Sequence, residues 1–279
     1  MDSLPRIQFV ELHDLEGTPP VLRTLHTESI TTIYRLTDAA REYSRPLARA
    51  LRSGADHRSG ADHRSGADHR IVDLCAGSGG PVPLIQRRLH AEGVHTHVTL
   101  TDLVPNVRAF ERVEAENRRR LRDSCCSVDH VPTSVDATDC RVEGTRTIYG
   151  AFHHFPPALA ARMLQNAVDT RQPIVVVDTK RSFVYPVFFP FLLTLAVLVA
   201  APFQRNPLPR YLLRLLLTYV VPVLPFMMFF DSVVSFLRMY GRAELRRIVD
   251  GLDRTESFTW TIGVEPGFTG AQYLIGIPR

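Results

Sequence analysis

Apolar side chains near the amino end recur at three- and four-residue spacing. Val21, Leu22, Leu25, Ile30, Ile33, Leu36, Leu47 and Leu51 mark residues 20–51 as helical, with Pro46 as the expected break. From residue 70 the pattern changes to short apolar runs alternating with amphipathic stretches. It predicts strands over 71–75, 97–102, 128–135, 147–152 and 174–178, and helices over 82–92, 106–122 and 157–170. Strands that alternate with helices in this way form a parallel sheet covered on both faces. The carboxyl end differs, with a helix over 232–252 and then two β-type runs, SFTWTIGVE and AQYLIGIP, joined through PGFTG as a closing antiparallel hairpin.

Two stretches interrupt this order. Residues 53–70 are three tandem copies of SGADHR, whose six-residue period matches neither helix nor strand and which carries no large apolar residue. His57, His63 and His69 with Asp56, Asp62 and Asp68 invite a metal reading, but a loop made by local duplication explains the repeat better, and no metal site is expected. The second interruption is residues 183–230. Residues 184–203 carry no charge, and residues 211–230 carry only Arg214. Five regions follow: a helical cap (1–52), the repeat loop (53–70), a core (71–182), an apolar helical insertion (183–230), and a helix and hairpin that complete the core sheet (231–279).

Composition narrows the class. Of 279 residues 45% are hydrophobic and 22% charged, ordinary for a folded protein and far from a disordered or fibrous one. The formal charge of +4, from 33 basic against 29 acidic residues, is too small to imply nucleic acid, and none is expected as a partner. Arg118, Arg119, Arg120 and Arg122 end a helix, where cations suit the dipole and water, and no aromatic residue interleaves them. Four cysteines, Cys75, Cys125, Cys126 and Cys140, make no secreted framework, and the first residues fit neither a secretory signal nor a transit peptide. The chain is expected in the cytoplasm, at the inner face of the membrane if the insertion meets lipid.

The chemistry concentrates at strand ends. Asp73-Leu74-Cys75-Ala76-Gly77-Ser78-Gly79-Gly80-Pro81 closes the first strand with glycines that let the backbone turn sharply against a ligand, before a helix whose amino end faces that ligand. Val82 stands where a dinucleotide fingerprint begun at Gly77 needs glycine or alanine, no Gly-Lys-Ser/Thr follows, and Ser78 lies directly between glycines, so NAD, P-loop and nucleophile-elbow readings lose ground. Asp102 ends the second strand, where a carboxylate accepts ribose hydroxyls, and Asp136 closes the third unit.

Taken together these motifs resemble the class I S-adenosylmethionine-dependent methyltransferases. The resemblance covers residues 70–180 and the terminal hairpin. It implies a Rossmann-like, doubly wound α/β fold with a mostly parallel seven-stranded sheet and an antiparallel hairpin. It implies S-adenosyl-L-methionine as cofactor, with Asp73, Cys75, Ala76, Gly77, Ser78 and Gly79 in the donor loop, Asp102 and Leu103 at the ribose, and Asp136 and Ala137 near the adenine. Cys75 occupies the place of the family's first glycine.

After the fourth strand comes Gly150-Ala151-Phe152-His153-His154-Phe155, beside the reacting group in such a sheet and similar to a segment common in small-molecule methyltransferases. His153 and His154 are the catalytic candidates, as orienting groups or proton acceptors near neutral pH, with a purely loop-holding role as the bland alternative. Asp231, Arg238 and Tyr240 are further, weaker candidates for the acceptor pocket. Pro186, Pro190 and Pro202 leave only 191–201 uninterrupted in the insertion, short of the ~20 residues of a spanning helix. Strands on both sides of it also belong to one sheet, so any spans must come in pairs, and a pair would carry Arg205, Arg210 and Arg214 across. An in-plane or lid-like helical pair is expected, meeting a lipophilic acceptor or the membrane periphery. The reading is a methyltransferase with a small lipophilic acceptor. A membrane-peripheral binding protein without turnover is the alternative, and an NAD-dependent oxidoreductase the third choice.

Overall fold

The computed structural model describes residues 6–37, 39–58, 69–121, 125–181, 185–204, 207–267 and 270–279. Contacts group the chain into two units, Asp38–Lys180 with Gly241–Arg279, and Met1–Thr37 with Arg181–Tyr240.

The larger unit is the expected α/β core. Its strands are β1 (His69–Asp73), β2 (Thr96–Leu100), β3 (Ser127–His130), β4 (Thr145–Tyr149), β5 (Ile174–Thr179), β6 (Phe258–Val264) and β7 (Ala271–Pro278), in the sheet order β3-β2-β1-β4-β5-β7-β6. β1 to β5 are parallel, and β7 runs antiparallel to both β5 and β6. Ile174 to Val177 are all buried, which is why β5 is a continuous aliphatic run instead of an alternating one. Each such side chain adds ~1.5–3 kcal/mol on burial. Helices α2 (Ala39–Arg58) and α3 (Val82–Ala91) pack on each other, as do α5 (Pro157–Asp169) and α9 (Arg242–Asp250). The crossover through α3 runs outward from β1 to β2 and that through α5 the other way from β4 to β5, so right-handed connections put the two helices on opposite faces. Between β1 and β4 the winding reverses, and a crevice opens at the strand ends there.

The smaller unit is made from two distant parts of the chain. Helix α1 (Pro20–Leu36) packs with α6 (Tyr185–Ala200) and α8 (Val223–Arg238) around buried Leu25, Ile33, Val197, Leu224 and Met228. Helix α7 (Leu208–Leu215) runs into a π-type turn at Leu216–Val220. This stretch is inverted. Leu208, Leu212 and Leu216, one helical face, point to solvent, while Arg214 and Thr218 are buried. Arg214 reaches α1, donating to a Glu28 carboxylate oxygen at 2.6 Å, to the Ser29 hydroxyl at 3.0 Å and to the Leu25 carbonyl at 3.3 Å. The buried guanidinium is paired and hydrogen-bonded, the condition under which a charge is tolerated inside a protein.

Several expectations change. The cap read as 1–52 is divided: residues up to Thr37 go with the apolar helices, and α2 goes with the sheet. The break falls next to Thr37, while Pro46 is carried inside α2. The first copy of SGADHR continues α2 to Arg58, and His69 and Arg70 open β1; residues 59–68 lie outside the described residues. Pro190 also sits inside its helix, on a turn where it and Phe189 are buried. The single helix expected over 232–252 is two, because Met239 leaves helical geometry and Gly241, whose amide donates to the Glu244 carboxylate at 2.8 Å, starts α9. Arg210 and Arg214 serve α1 through Glu28 instead of standing free, while Arg205 lies outside the described residues. Among the described residues no single helix is long and apolar enough to cross a membrane; Leu208–Val220 and Val223–Arg238 reach that length and hydropathy together but bend by 72°.

Candidate active site

The glycine-rich loop is tied down where it leaves β1 by backbone bonds to Thr147 and Thr101. The Leu74 amide donates to Thr147 O at 2.8 Å and the Ala76 amide to Thr101 O at 3.0 Å. From Cys75 to Gly80 the chain turns through four residues of positive φ, Cys75 (φ 58), Gly77 (φ 57), Gly79 (φ 91) and Gly80 (φ 44). Cys75 therefore occupies a backbone position that glycine adopts without cost, which is the physical content of a glycine there. Gly77 and Gly79 are needed for different reasons. A Cβ on Gly79 would stand 2.6 Å from Val113 Cγ2 on helix α4 (Val107–Arg120), whereas one on Gly77 would meet nothing within 4 Å. The first lets the loop press on the helix; the second leaves open space in front of the loop, where a ligand can approach the backbone.

Asp102 follows β2 and closes the loop from the other side. Its Oδ2 accepts the Gly77 amide at 2.8 Å and its Oδ1 the Val104 amide at 2.9 Å. With the Leu103 amide also turned on this carboxylate, acceptor capacity remains for an incoming hydroxyl. Leu103 and Val104 beside it are 60% and 74% exposed, an apolar shelf next to a hydrogen-bonding group. The third acidic residue is held nearby through the backbone, the Val135 amide donating to Asp102 O at 2.9 Å and the Ser134 hydroxyl to Leu103 O at 2.7 Å. Asp136 itself is exposed, its Oδ1 engaged by the Thr138 amide and hydroxyl at 2.7 and 2.8 Å, and buried Ala137 lies behind it. The structure thus brings together at the carboxyl ends of β1 to β3 the segments that carry Asp73, Cys75, Ala76, Gly77, Ser78, Gly79, Asp102, Leu103, Asp136 and Ala137.

Burial sets the electrostatics. The Asp73 carboxyl, buried and accepting the Thr147 hydroxyl at 2.7 Å, is pushed up to about 7 by desolvation and by Asp102, with the Thr147 bond opposing. Burial also raises Asp102, against the pull of the Val104, Gly77 and Leu103 amides. Asp136 moves the other way, lowered by its bonds to Thr138. The Cys75 thiol is driven upward by burial and then by Asp102, Asp73 and Asp136, so it stays protonated and is no nucleophile.

His153 and His154 lie in a 3-10 turn (Phe152–His154) after β4. His153 is buried and bound twice to Asp178 at the end of β5: its amide donates to Oδ2 at 3.0 Å and its Nδ1–H to Oδ1 at 2.8 Å. His154 is half-buried, its ring centroid 4.4 Å from that of His153. Asp178 was not singled out from the sequence, although its place after IVVV at a strand's carboxyl end is the signal that could have found it. Thr147 and Thr101, which tie β1, β2 and β4 to the loop, were likewise missed because a threonine in a strand looks like any other strand residue. Asp231, Arg238 and Tyr240 fall in the smaller unit, where Asp231 and Arg238 join a buried polar cluster.

A seven-stranded sheet in the order 3-2-1-4-5-7-6, with strand 7 antiparallel and a glycine-rich turn after strand 1, is the class I methyltransferase fold. No family model and no curated protein matches the sequence. Among solved structures the chain is similar to the magnesium protoporphyrin IX methyltransferase of Synechocystis with bound SAH, at 10% identity over 96% of this chain and 91% of that one, TM-score 0.44. It is similar to a SAM dependent methyltransferase from Aquifex aeolicus at 11% identity over 92% and 98%, TM-score 0.44. A protein described as a Zn-dependent alcohol dehydrogenase from Rhodobacter sphaeroides is as near, at 9% identity over 94% and 100%, TM-score 0.46. At such identities nothing about substrate carries over.

Proposed function

We propose that the chain transfers a methyl group from S-adenosyl-L-methionine to a small lipophilic acceptor. The observation that carries the reading is the Gly77–Asp102 pair: a side-chain-free backbone facing open space, held 2.8 Å from a carboxylate with lone pairs to spare. Asp102 would accept the ribose hydroxyls, Leu103 and Val104 would lie against the adenine, and Asp136 and Ala137 would border its far edge. Bound there, the donor supplies an electrophilic methyl group on a sulfonium sulfur. Catalysis then rests largely on alignment and exclusion of water. His154 is placed to take the acceptor's proton, while His153 positions the turn through Asp178. The protonated Cys75 does not compete as a methyl acceptor.

The smaller unit supports the lipophilic half of the proposal. Besides the α7 face, α6 presents Phe188, Phe191, Leu192, Leu195 and Val199 to solvent, and α8 presents Phe226 and Phe230, while charged Arg214, Asp231 and Arg238 are inside. An exposed apolar face of this kind is suited to lipid and would make a peripheral contact with the membrane surface, without spanning. A chain held in this way would meet a lipophilic acceptor where it partitions, at the bilayer surface.

Calorimetry with S-adenosylmethionine and S-adenosylhomocysteine tests the donor site, and transfer of labelled methyl into a membrane lipid extract tests turnover. Binding of neither nucleoside refutes the reading. Donor binding without transfer into any extract fraction leaves a binding protein with this fold.

A further inference from the structure

The smaller unit holds a buried cluster to which the methyl-transfer reading gives no role. Glu11, His26, Asp231 and Arg238 are each 2% exposed, and they come from three elements: the segment around Leu12–Asp14, α1 and α8. His13 Nδ1 lies 3.0 Å from Asp231 Oδ2, and His26 Nε2 lies 3.5 Å from the same oxygen. One donor atom each from His13, His26 and Asp231 falls within 4.8 Å of the other two, and the imidazoles stack with centroids 5.0 Å apart. Ligands bound to one tetrahedral ion at ~2.0–2.2 Å stand ~3.3–3.5 Å from each other, so these three are already near coordinating separation.

Charge points the same way. Among the described residues three carboxylates meet at this cluster, Glu11, Asp14 and Asp231, and the Arg238 guanidinium reaches two of them, Glu11 and Asp14, both at 3.4 Å. Asp231 is faced instead by the two imidazoles and the His13 amide (3.3 Å) on Oδ2, and by the Leu12 amide at 2.6 Å on its other oxygen. The second nitrogen of His26, Nδ1, is buried and has no hydrogen-bond partner. A buried carboxylate that faces two imidazoles is stabilised by a cation shared among them.

We propose that His13, His26 and Asp231 bind a divalent transition-metal ion, zinc by the character of the donors, as a clip that fastens the segment around Leu12–Asp14 to α1 and α8. Two imidazoles and a carboxylate suit zinc, whereas magnesium and calcium call for oxygen ligands throughout. Asp14 Oδ1, 3.4 Å from His13 Nε2, the ring nitrogen that does not face Asp231, is the nearby acceptor that orients the His13 ring. The sequence offered no such site, because its three ligands are spread over 218 positions of chain. The proposal is independent of the donor loop.

The full-length chain, stripped with chelator, is titrated with zinc by calorimetry and with cobalt by visible absorption, and its thermal midpoint is measured with and without zinc. A Cys125→Ser, Cys126→Ser background removes the thiols that gather beside His90. One equivalent of zinc, cobalt bands of a low-symmetry nitrogen and oxygen site, and a raised midpoint are expected. His26→Gln and His13→Ala should each weaken zinc at least ~100-fold and abolish the zinc-dependent midpoint shift, and Asp14→Asn should weaken it ~10-fold. If His26→Gln does not fold, His13→Ala, at the less buried imidazole, decides alone. A folded parent that binds no zinc, or variants that bind it with parental affinity, would overturn the proposal and leave a hydrogen-bonded network.

Discussion

Asp178, at the end of β5, takes both the amide and the Nδ1–H of His153, at 3.0 and 2.8 Å, and so joins the turn after β4 to the neighbouring strand. His153 is thereby a positioning residue. Asp178→Asn should cost ~1.5–3 kcal/mol in urea unfolding, the range for a hydrogen bond to a buried charge. His154→Ala should leave stability and donor affinity near parental and lower turnover ~10²–10⁴-fold. Full activity of folded His154→Ala would remove the proton-acceptor role.

Asp102 has a double duty, holding the Gly77 and Val104 amides and presenting its remaining lone pairs. Asp102→Ala should weaken S-adenosylhomocysteine binding by ~1.5–3 kcal/mol in calorimetry, and Asp102→Asn by less, since an amide oxygen still accepts. Unchanged affinity in a folded Asp102→Ala chain would contradict the ribose assignment.

The buried Asp73 carboxyl rises from 3.8 to about 7 because burial disfavours its charge, with Asp102 adding and Thr147 opposing. For an acid raised on folding, the stability contribution is complete below the unfolded value and is lost as pH climbs through the folded one. Between about pH 4 and pH 7 the parent should lose ~4 kcal/mol relative to Asp73→Asn, which stays neutral. Urea midpoints of both proteins across that window check this, and parallel pH curves would mean that Asp73 ionises freely.

Gly79 is fixed by contact as well as by its backbone. With Val113 Cγ2 2.6 Å from where a Cβ would sit, Gly79→Ala should destabilise by ~1–3 kcal/mol, and Val113→Ala should recover the part that is steric. A double-mutant cycle reads the coupling. Strict additivity would show that only the positive φ matters.

The apolar outer face of α6 to α8 should bind neutral phosphatidylcholine vesicles in flotation assays. Leu212→Asp with Phe191→Asp, both at exposed positions, should abolish flotation without lowering the unfolding midpoint. Flotation that persists in the double variant would move the lipid contact elsewhere.

The core was legible because its signals are local. Strands expected at 71–75, 97–102 and 174–178 are β1, β2 and β5 to within two residues, and each ends in the acidic or glycine-rich turn that the crevice needs. The glycine-rich turn could be read for the same reason, since one contiguous stretch carries all of its positive-φ residues. The helical unit could not. Nothing in residues 20–36 says that Leu25 and Ile33 close on Val197 and Met228, nor that Arg214, alone in a greasy run, meets Glu28. Pro46 and Pro190 looked like breaks because propensity is a local quantity, and tertiary packing outweighs it. Asp178 was invisible as a partner of His153 because parallel strands juxtapose residues through a crossover, not through spacing.

The pairing of Arg214 with Leu25 spans 189 residues of chain, and that separation has a temporal meaning. At ~5–20 residues per second on the ribosome, α1 waits roughly 10–40 seconds for α6, α7 and α8 to be made. During that time its Leu25 and Ile33 side chains have no native cover, although the strands from β1 to β5 can already assemble. Biogenesis thus acquires an order, with the sheet early and the greasy helices late. The interval in which α1 stands alone is when a nascent-chain chaperone has the most to hold.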